Sequence, residues 1–225
     1  RVDIYLPARM RATRRYPLLI VHDGGDYLRF AALKEVLDNL IHRGEVQPLI
    51  VALTYPGDRL VEYPDDPRHT SFIAETLLPW LSARYTLLDD PDARVVMGAS
   101  FGGVAALSVA WRYPGVFGGL LSQSGSFAFT DIGKQKRGPA FEPVVRFVNA
   151  FRAAPGRPVT RAFISCGQYE SLIYENRSMV PFLQAHGVTT RFVEARDGHN
   201  WENWRDRLQT ALSWLFPGPL WMVYE

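Results

Sequence analysis

Short apolar runs set at intervals between longer helix-period segments constrain this chain more than any other feature. Leu18-Leu19-Ile20-Val21 is continuous and apolar, without polar alternation. A strand with one wet face alternates, whereas a strand covered on both faces does not. Leu49 to Leu53 after Pro48, Arg94 to Met97, Phe117 to Ser122 and Ala162 to Ser165 read the same way. Thr190 to Glu194 alternates and belongs nearer an edge. Helical segments are expected at about 30–43, 70–85, 101–113, 171–187 and 201–215. This β-α-β-α order predicts an α/β fold, with a mainly parallel sheet and helices on both faces. The chain's 225 residues, 47% of them hydrophobic, suffice for one core, so residues 1–225 are read as a single domain.

Charge narrows the partners. Lys and Arg total 25 against 23 Asp and Glu, a formal net charge of +2. Such a balance is too small to argue for nucleic acid or an anionic membrane as partner. No apolar run approaches the roughly 20 residues that span a bilayer. A single cysteine, Cys166, excludes an intrachain disulfide and a zinc–thiolate cluster, and fits a reducing, cytoplasmic setting. The chain starts at Arg1, almost inside a strand and without Met, which suggests a trimmed piece of something longer. Residues 124–160 are the least regular, with the polar stretch Gly133 to Pro139, and are expected to form a short cap over the site. The tail Pro217 to Tyr224 is apolar, which points to docking on its own domain or on a second subunit of a homodimer.

Chemistry enters at Gly98-Ala99-Ser100-Phe101-Gly102. Alone, G-x-S-x-G is a weak signal. Here it follows the strand 94–97 and opens a helix, the context of a nucleophile elbow. The helix N-terminus then aims free N–H groups and its positive dipole end at Ser100. That makes the Phe101 N–H a natural oxyanion donor. A serine hydroxyl needs an imidazole to take its proton. His199, in Gly198-His199-Asn200-Trp201, lies after the last strand and before the last helix, as the order serine, acid, histidine requires. The acid belongs on the loop Cys166-Gly167-Gln168-Tyr169-Glu170, where Glu170 is the only carboxylate. Asp197 is its rival, awkwardly close in sequence to the ring. A second oxyanion donor should follow the strand 18–21, at His22-Asp23-Gly24-Gly25-Asp26; the Gly25 N–H is favoured, with Gly24 or Asp26 as alternatives.

With these residues in hand, the chain resembles the enterochelin (ferric enterobactin) esterase-like family of the esterase D superfamily. The resemblance runs from about Tyr5 to Phe216. It rests on Asp23-Gly24, Leu77-Leu78-Pro79-Trp80, the elbow 98–103 and Gln123-Ser124-Gly125-Ser126. It rests further on Gly167 to Glu170 with Asn176-Arg177, and on Gly198 to Trp201 with Trp204-Arg205. It implies an α/β-hydrolase core, hydrolysis of carboxylic esters and no metal or other cofactor. It carries the nucleophile to Ser100, the base to His199 and the acid to Glu170. Two departures stand out: Phe101 follows the serine where many relatives have Leu, and the acid is Glu where close relatives often have Asp.

In the resembling family an Arg-x-x-Glu near this point lies by the substrate, which directs attention to Arg59 and Glu62 on the loop after the strand 49–53. An ion pair with Asp58, Asp65 or Asp66 is the plainer role for Arg59. Tyr27, Phe101, Phe127, Phe129 and Trp201 are candidates for an aromatic wall. The expected activity is a serine esterase acting on a small-molecule ester, of siderophore type. A carbohydrate esterase for feruloyl or acetyl groups, and a hydrolase-like acyltransferase or binding scaffold, are the alternatives.

Overall fold

The computed structural model describes residues 1–130 and 137–219. Among them, seven strands form one sheet: β1 (Val2–Tyr5), β2 (Leu18–Val21), β3 (Ile50–Thr54), β4 (Arg94–Ala99), β5 (Gly119–Gln123), β6 (Arg161–Gly167) and β7 (Thr189–Ala195). Their spatial order is β1-β3-β2-β4-β5-β6-β7. β1 runs antiparallel to β3, and every other pairing is parallel. All six strands read from the sequence are present, within one or two residues of their expected ends, with β7 at an edge.

The continuous apolar runs are explained by the faces they cover. Along each parallel strand, alternate side chains enter two separate cores. Leu18, Ile20, Val96, Leu120, Ala162 and Ile164 point to one face, and Leu19, Val21, Val95, Met97, Leu121 and Phe163 to the other. The second face is covered by α1 (Gly24–Phe30), α2 (Leu33–His42) and α9 (Trp201–Leu215), through residues such as Leu37, Leu208 and Leu212. The first is covered by α5 (Leu78–Arg84), α6 (Phe101–Arg112), α7 (Glu142–Ala153) and α8 (Ile173–Ala185). Each aliphatic side chain buried in this way contributes about 1.5–3 kcal/mol.

Helix α6 is buried from Phe101 to Ala110 and runs almost wholly on small and aliphatic residues, which lets it lie close to the sheet. The helix expected at 70–85 starts earlier. α4 (Pro67–Ser71) opens it, with the Asp66 side chain accepting from Arg68 N and proline in the first turn. A π-helical turn, Phe72–Leu77, joins it to α5. Two short helices escaped the sequence reading: α1, and α3 (Arg59–Glu62).

The 124–160 segment resolves into two parts. α7 is a crossover helix between β5 and β6, with Val144, Phe147, Val148 and Phe151 buried on the sheet side. Before it, Pro139–Phe141 brings the Phe141 ring edge-on to Phe101 at 5.2 Å, beside the elbow. Residues 131–136 of the expected cap lie outside the described residues, as does the tail from 220 onward. Pro217 pairs with Val46, so the start of the tail docks on its own domain. No helix among the described residues is long and apolar enough to cross a membrane.

Candidate active site

The carboxyl ends of β2, β4, β5, β6 and β7 converge, which is where open parallel sheets bind ligands. Ser100 stands between β4 and α6 with φ 56° and ψ −120°. A side chain in that backbone region is strained, and such strain clusters at functional sites. The turn is held by Ser100 N donating to Gln123 O at 2.9 Å and by Ser126 N donating to Ser100 O at 3.1 Å. Gly98 permits it, because a Cβ there would collide with the Gly102 carbonyl at the start of the helix. The Ser100 hydroxyl lies 3.2 Å from Ser126 Oγ. Among the described residues this is its hydrogen bond; none joins it to His199.

His199 and Glu170 meet directly. Nδ1 of the ring lies 2.7 Å from Glu170 Oε2, and the glutamate side chain has no exposed surface. The other carboxylate oxygen, Oε1, accepts from Ser124 Oγ at 2.7 Å, Gly167 N at 2.6 Å and Asn203 Nδ2 at 3.3 Å. Burial alone pushes the Glu170 carboxyl up, but its bonds to His199, Ser124 and Gly167 outweigh that and hold it below the ordinary glutamate value. The loops carrying the two groups are stitched together by Gln168 N to Ala195 O and Tyr169 N to Asp197 O. Gly167 allows this approach, since a Cβ there would strike the Asp197 carbonyl. Asp197 itself accepts from Gly198 N and Asn200 Nδ2, so it serves the local turn and not the imidazole.

Helix α9 supports the ring. Asn200 caps it by accepting from Asn203 N at 2.8 Å. Trp204 stands edge-on to His199 at 5.0 Å and donates its indole N–H to Ser124 Oγ at 2.9 Å. Gln123, fully buried, ties both sides of the site together: Oε1 accepts from Tyr27 OH, and Nε2 donates to Trp204 O. Sequence reasoning gave no role to Ser124, Ser126, Gln123 or Asn203. Three of the four fall in the Gln123-Ser124-Gly125-Ser126 motif, which marked the place without giving the contacts.

On the other side of the elbow, Gly25 and Phe101 each sit in the first turn of a helix, where N–H groups lack an intrahelical carbonyl. Asp23 precedes Gly25 in the left-handed region, φ 55° and ψ 40°, with its carboxylate buried. Arg59 meets it with Nε at 3.0 and 2.9 Å from the two oxygens, and Nη2 also reaches Ala99 O at 3.2 Å. The plainer role foreseen for Arg59 thus holds in kind, with Asp23 as partner instead of Asp58, Asp65 or Asp66. Glu62 Oε1 accepts from the Gly57 and Asp58 amides, closing the turn into α3.

Behind them, His22 hydrogen-bonds Met97 O and His69 at 3.0 Å each, and His69 faces Glu62 at 3.6 Å. Burial, with His69 adding to it, pushes the His22 ring down to about 3, so it is neutral across physiological pH. Tyr27, foreseen in the substrate wall, is fully buried; its hydroxyl is turned to Gln123 and its ring supports the half-buried Trp201 from beneath at 5.0 Å. Phe127 is likewise fully buried. Burial on that scale removes both from the wall. Phe101 is mostly buried, between Arg59 and Phe141.

Comparison with known proteins agrees with this architecture. The family model described as "Putative esterase" matches residues 1–215. The iron(III) enterobactin esterase of Dickeya dadantii is 28% identical over 97% of this chain and 52% of its own length. The solved enterochelin esterase of Shigella flexneri superposes with a TM-score of 0.79 at 26% identity, covering 95% of this chain and 54% of that one. A solved ferulic acid esterase shares the fold, with a TM-score of 0.77 at 21% identity over 96% of this chain and 90% of that one. This chain spans about half the length of the curated enterobactin esterases it matches. The enterochelin esterase-like resemblance read from the motifs therefore stands, and the chain belongs to the esterase family.

Proposed function

We propose that the chain is a carboxylic-ester hydrolase working through an acyl-serine intermediate. Ser100 is the nucleophile, His199 its general base and Glu170 the carboxylate that orients the ring. The observation that carries the reading is the 2.7 Å bond from a wholly buried Glu170 to His199 Nδ1. That bond fixes the tautomer, leaving Nε2 free to accept a proton. For attack, the Ser100 hydroxyl turns from Ser126 toward Nε2, a tightening that substrate binding commonly brings. The proton passes to the ring as the serine oxygen bonds the acyl carbon, and Glu170 stabilises the imidazolium. Phe101 N–H and Gly25 N–H receive the developing oxyanion. The ring then protonates the departing alcohol, and water repeats the cycle to free the acid.

The names of the enterobactin esterase relatives support a siderophore-type ester as substrate. The test is turnover of p-nitrophenyl acetate by Ser100→Ala, expected to fall to background. Wild-type rates in that variant would end the assignment. A panel of enterobactin, feruloyl and acetyl-sugar esters sorts the substrate; preference for the last two returns the reading to a carbohydrate esterase. Inactivity of the wild type on all of them, with p-nitrophenyl acetate included, would favour a binding scaffold.

A further inference from the structure

One ion pair reaches both proposed oxyanion donors. Asp23 lies two residues before Gly25, and Ala99 lies two residues before Phe101. The Arg59 guanidinium bridges these points, gripping the Asp23 carboxylate through Nε and Nη2 and the Ala99 carbonyl through Nη2. Asp23 is itself fixed at every polar atom. Its N–H donates to Tyr63 OH at 3.0 Å, and its carbonyl accepts from Asp26 N and Tyr27 N, the first turn of α1. A Cβ on Gly102 would stand 3.1 Å from Asp23 Oδ2, so the elbow helix rests directly against this carboxylate. The Arg59 side chain is one-third exposed, and it lies over the Tyr63 and Phe101 rings. Aspartate visits the left-handed region more readily than most residues, and local contacts hold Asp23 in it. Here the enforcing contacts come from α3 and from the end of β4.

We propose that Asp23 and Arg59 are positioning residues that set the spacing of the Gly25 and Phe101 N–H groups by bracing the turn after β2 against the elbow. The proposal rests on the oxyanion assignment made above. It differs from a substrate-binding role for Arg59, because two of the guanidinium's nitrogens are already committed within the protein. Donors act on the transition state, so a loosened spacing lowers kcat and leaves ground-state binding intact.

The experiment compares wild type, Asp23→Asn, Arg59→Lys and Arg59→Ala on two esters, neutral p-nitrophenyl acetate and anionic mono-p-nitrophenyl succinate. Asp23→Asn keeps the side chain's shape and tolerates the left-handed backbone, so it carries the test if Arg59→Ala folds poorly by circular dichroism. We expect kcat to fall about 10- to 100-fold on both esters, with KM changed by less than about twofold. Added guanidinium should restore part of the loss in Arg59→Ala. A KM rise confined to the anionic ester, with kcat intact, would make Arg59 an anion subsite and overturn the proposal. Unchanged kcat on both esters overturns it too. Ser100→Ala keeps the two layers apart. If that variant is inactive while the Asp23 and Arg59 variants work normally, the brace fails and the esterase reading stands. If it stays active, the site reading itself fails.

Discussion

A carboxylate with no exposed surface is costly unless its oxygens are occupied, and both oxygens of Glu170 are. Because the folded chain holds this carboxyl below its ordinary value, it stabilises the fold above the unfolded-chain pKa of about 4.3. That contribution is lost as pH falls through the lower folded value. The stability advantage of wild type over Glu170→Gln should therefore be full at pH 7 and shrink on acidification below about pH 4, which thermal melts across pH 3–7 can follow. The same variant should lose roughly 10³–10⁴ in kcat, since an amide does not hold the catalytic tautomer. Cys166 offers a contrast: it is buried, and burial raises its thiol well above the ordinary range. It should stay unreactive toward a thiol-titrating disulfide until the protein is unfolded. The strained turn at Ser100 and the meeting of His199 with Glu170 were legible because each residue falls in a motif tied to a strand end. Ser124 and Asn203 were not, because their roles depend on how three loops meet in space.

At the scale of elements, turn chemistry divides the sheet into two ends. Gly44, Gly115, Gly156 and Gly187 take positive φ in the turns that follow helices and lead into strands, the ordinary way to stop a helix. Asp23, Ser100 and Ser124 take positive φ where strands end, with side chains in place. Among the turns at strand ends, the glycine turns face away from the candidate site and the side-chain-bearing ones build it, while Ala32 and Asp65, also at positive φ, lie between helices. The elbow's close approach also predicts that Gly98→Ala, which forces a Cβ against the Gly102 carbonyl, costs about 1–3 kcal/mol or more in a denaturant titration. Strands and long helices could be read in advance because their apolar periods are strong. Helix α7 could also have been read: Val144, Phe147, Val148 and Phe151 follow helical spacing, but the polar turn-rich stretch before them drew the segment toward a cap. Helix α1 was hidden by Gly24-Gly25, poor helix formers held in place by tertiary contacts.

Across the whole molecule, the candidate groups come from turns after five different strands, and none lies near another in sequence except within a motif. Parallel pairings join distant segments and form slowly. Recovery of ester hydrolysis after dilution from denaturant should therefore follow the slowest refolding phase and lag the return of helical circular dichroism. The backbone at Ser100 carries a further consequence for the lifetime of the protein. Glycine adopts φ 56° and ψ −120° without penalty, whereas serine is held there against its preference. Ser100→Gly should thus be more stable than wild type, and inactive on the mechanism proposed above. Its gain is about 1 kcal/mol after allowing for glycine's freer unfolded chain, a rise of roughly 2–4 °C in melting temperature. A long evolutionary trial for heat resistance without selection for turnover would be expected to replace Ser100 early.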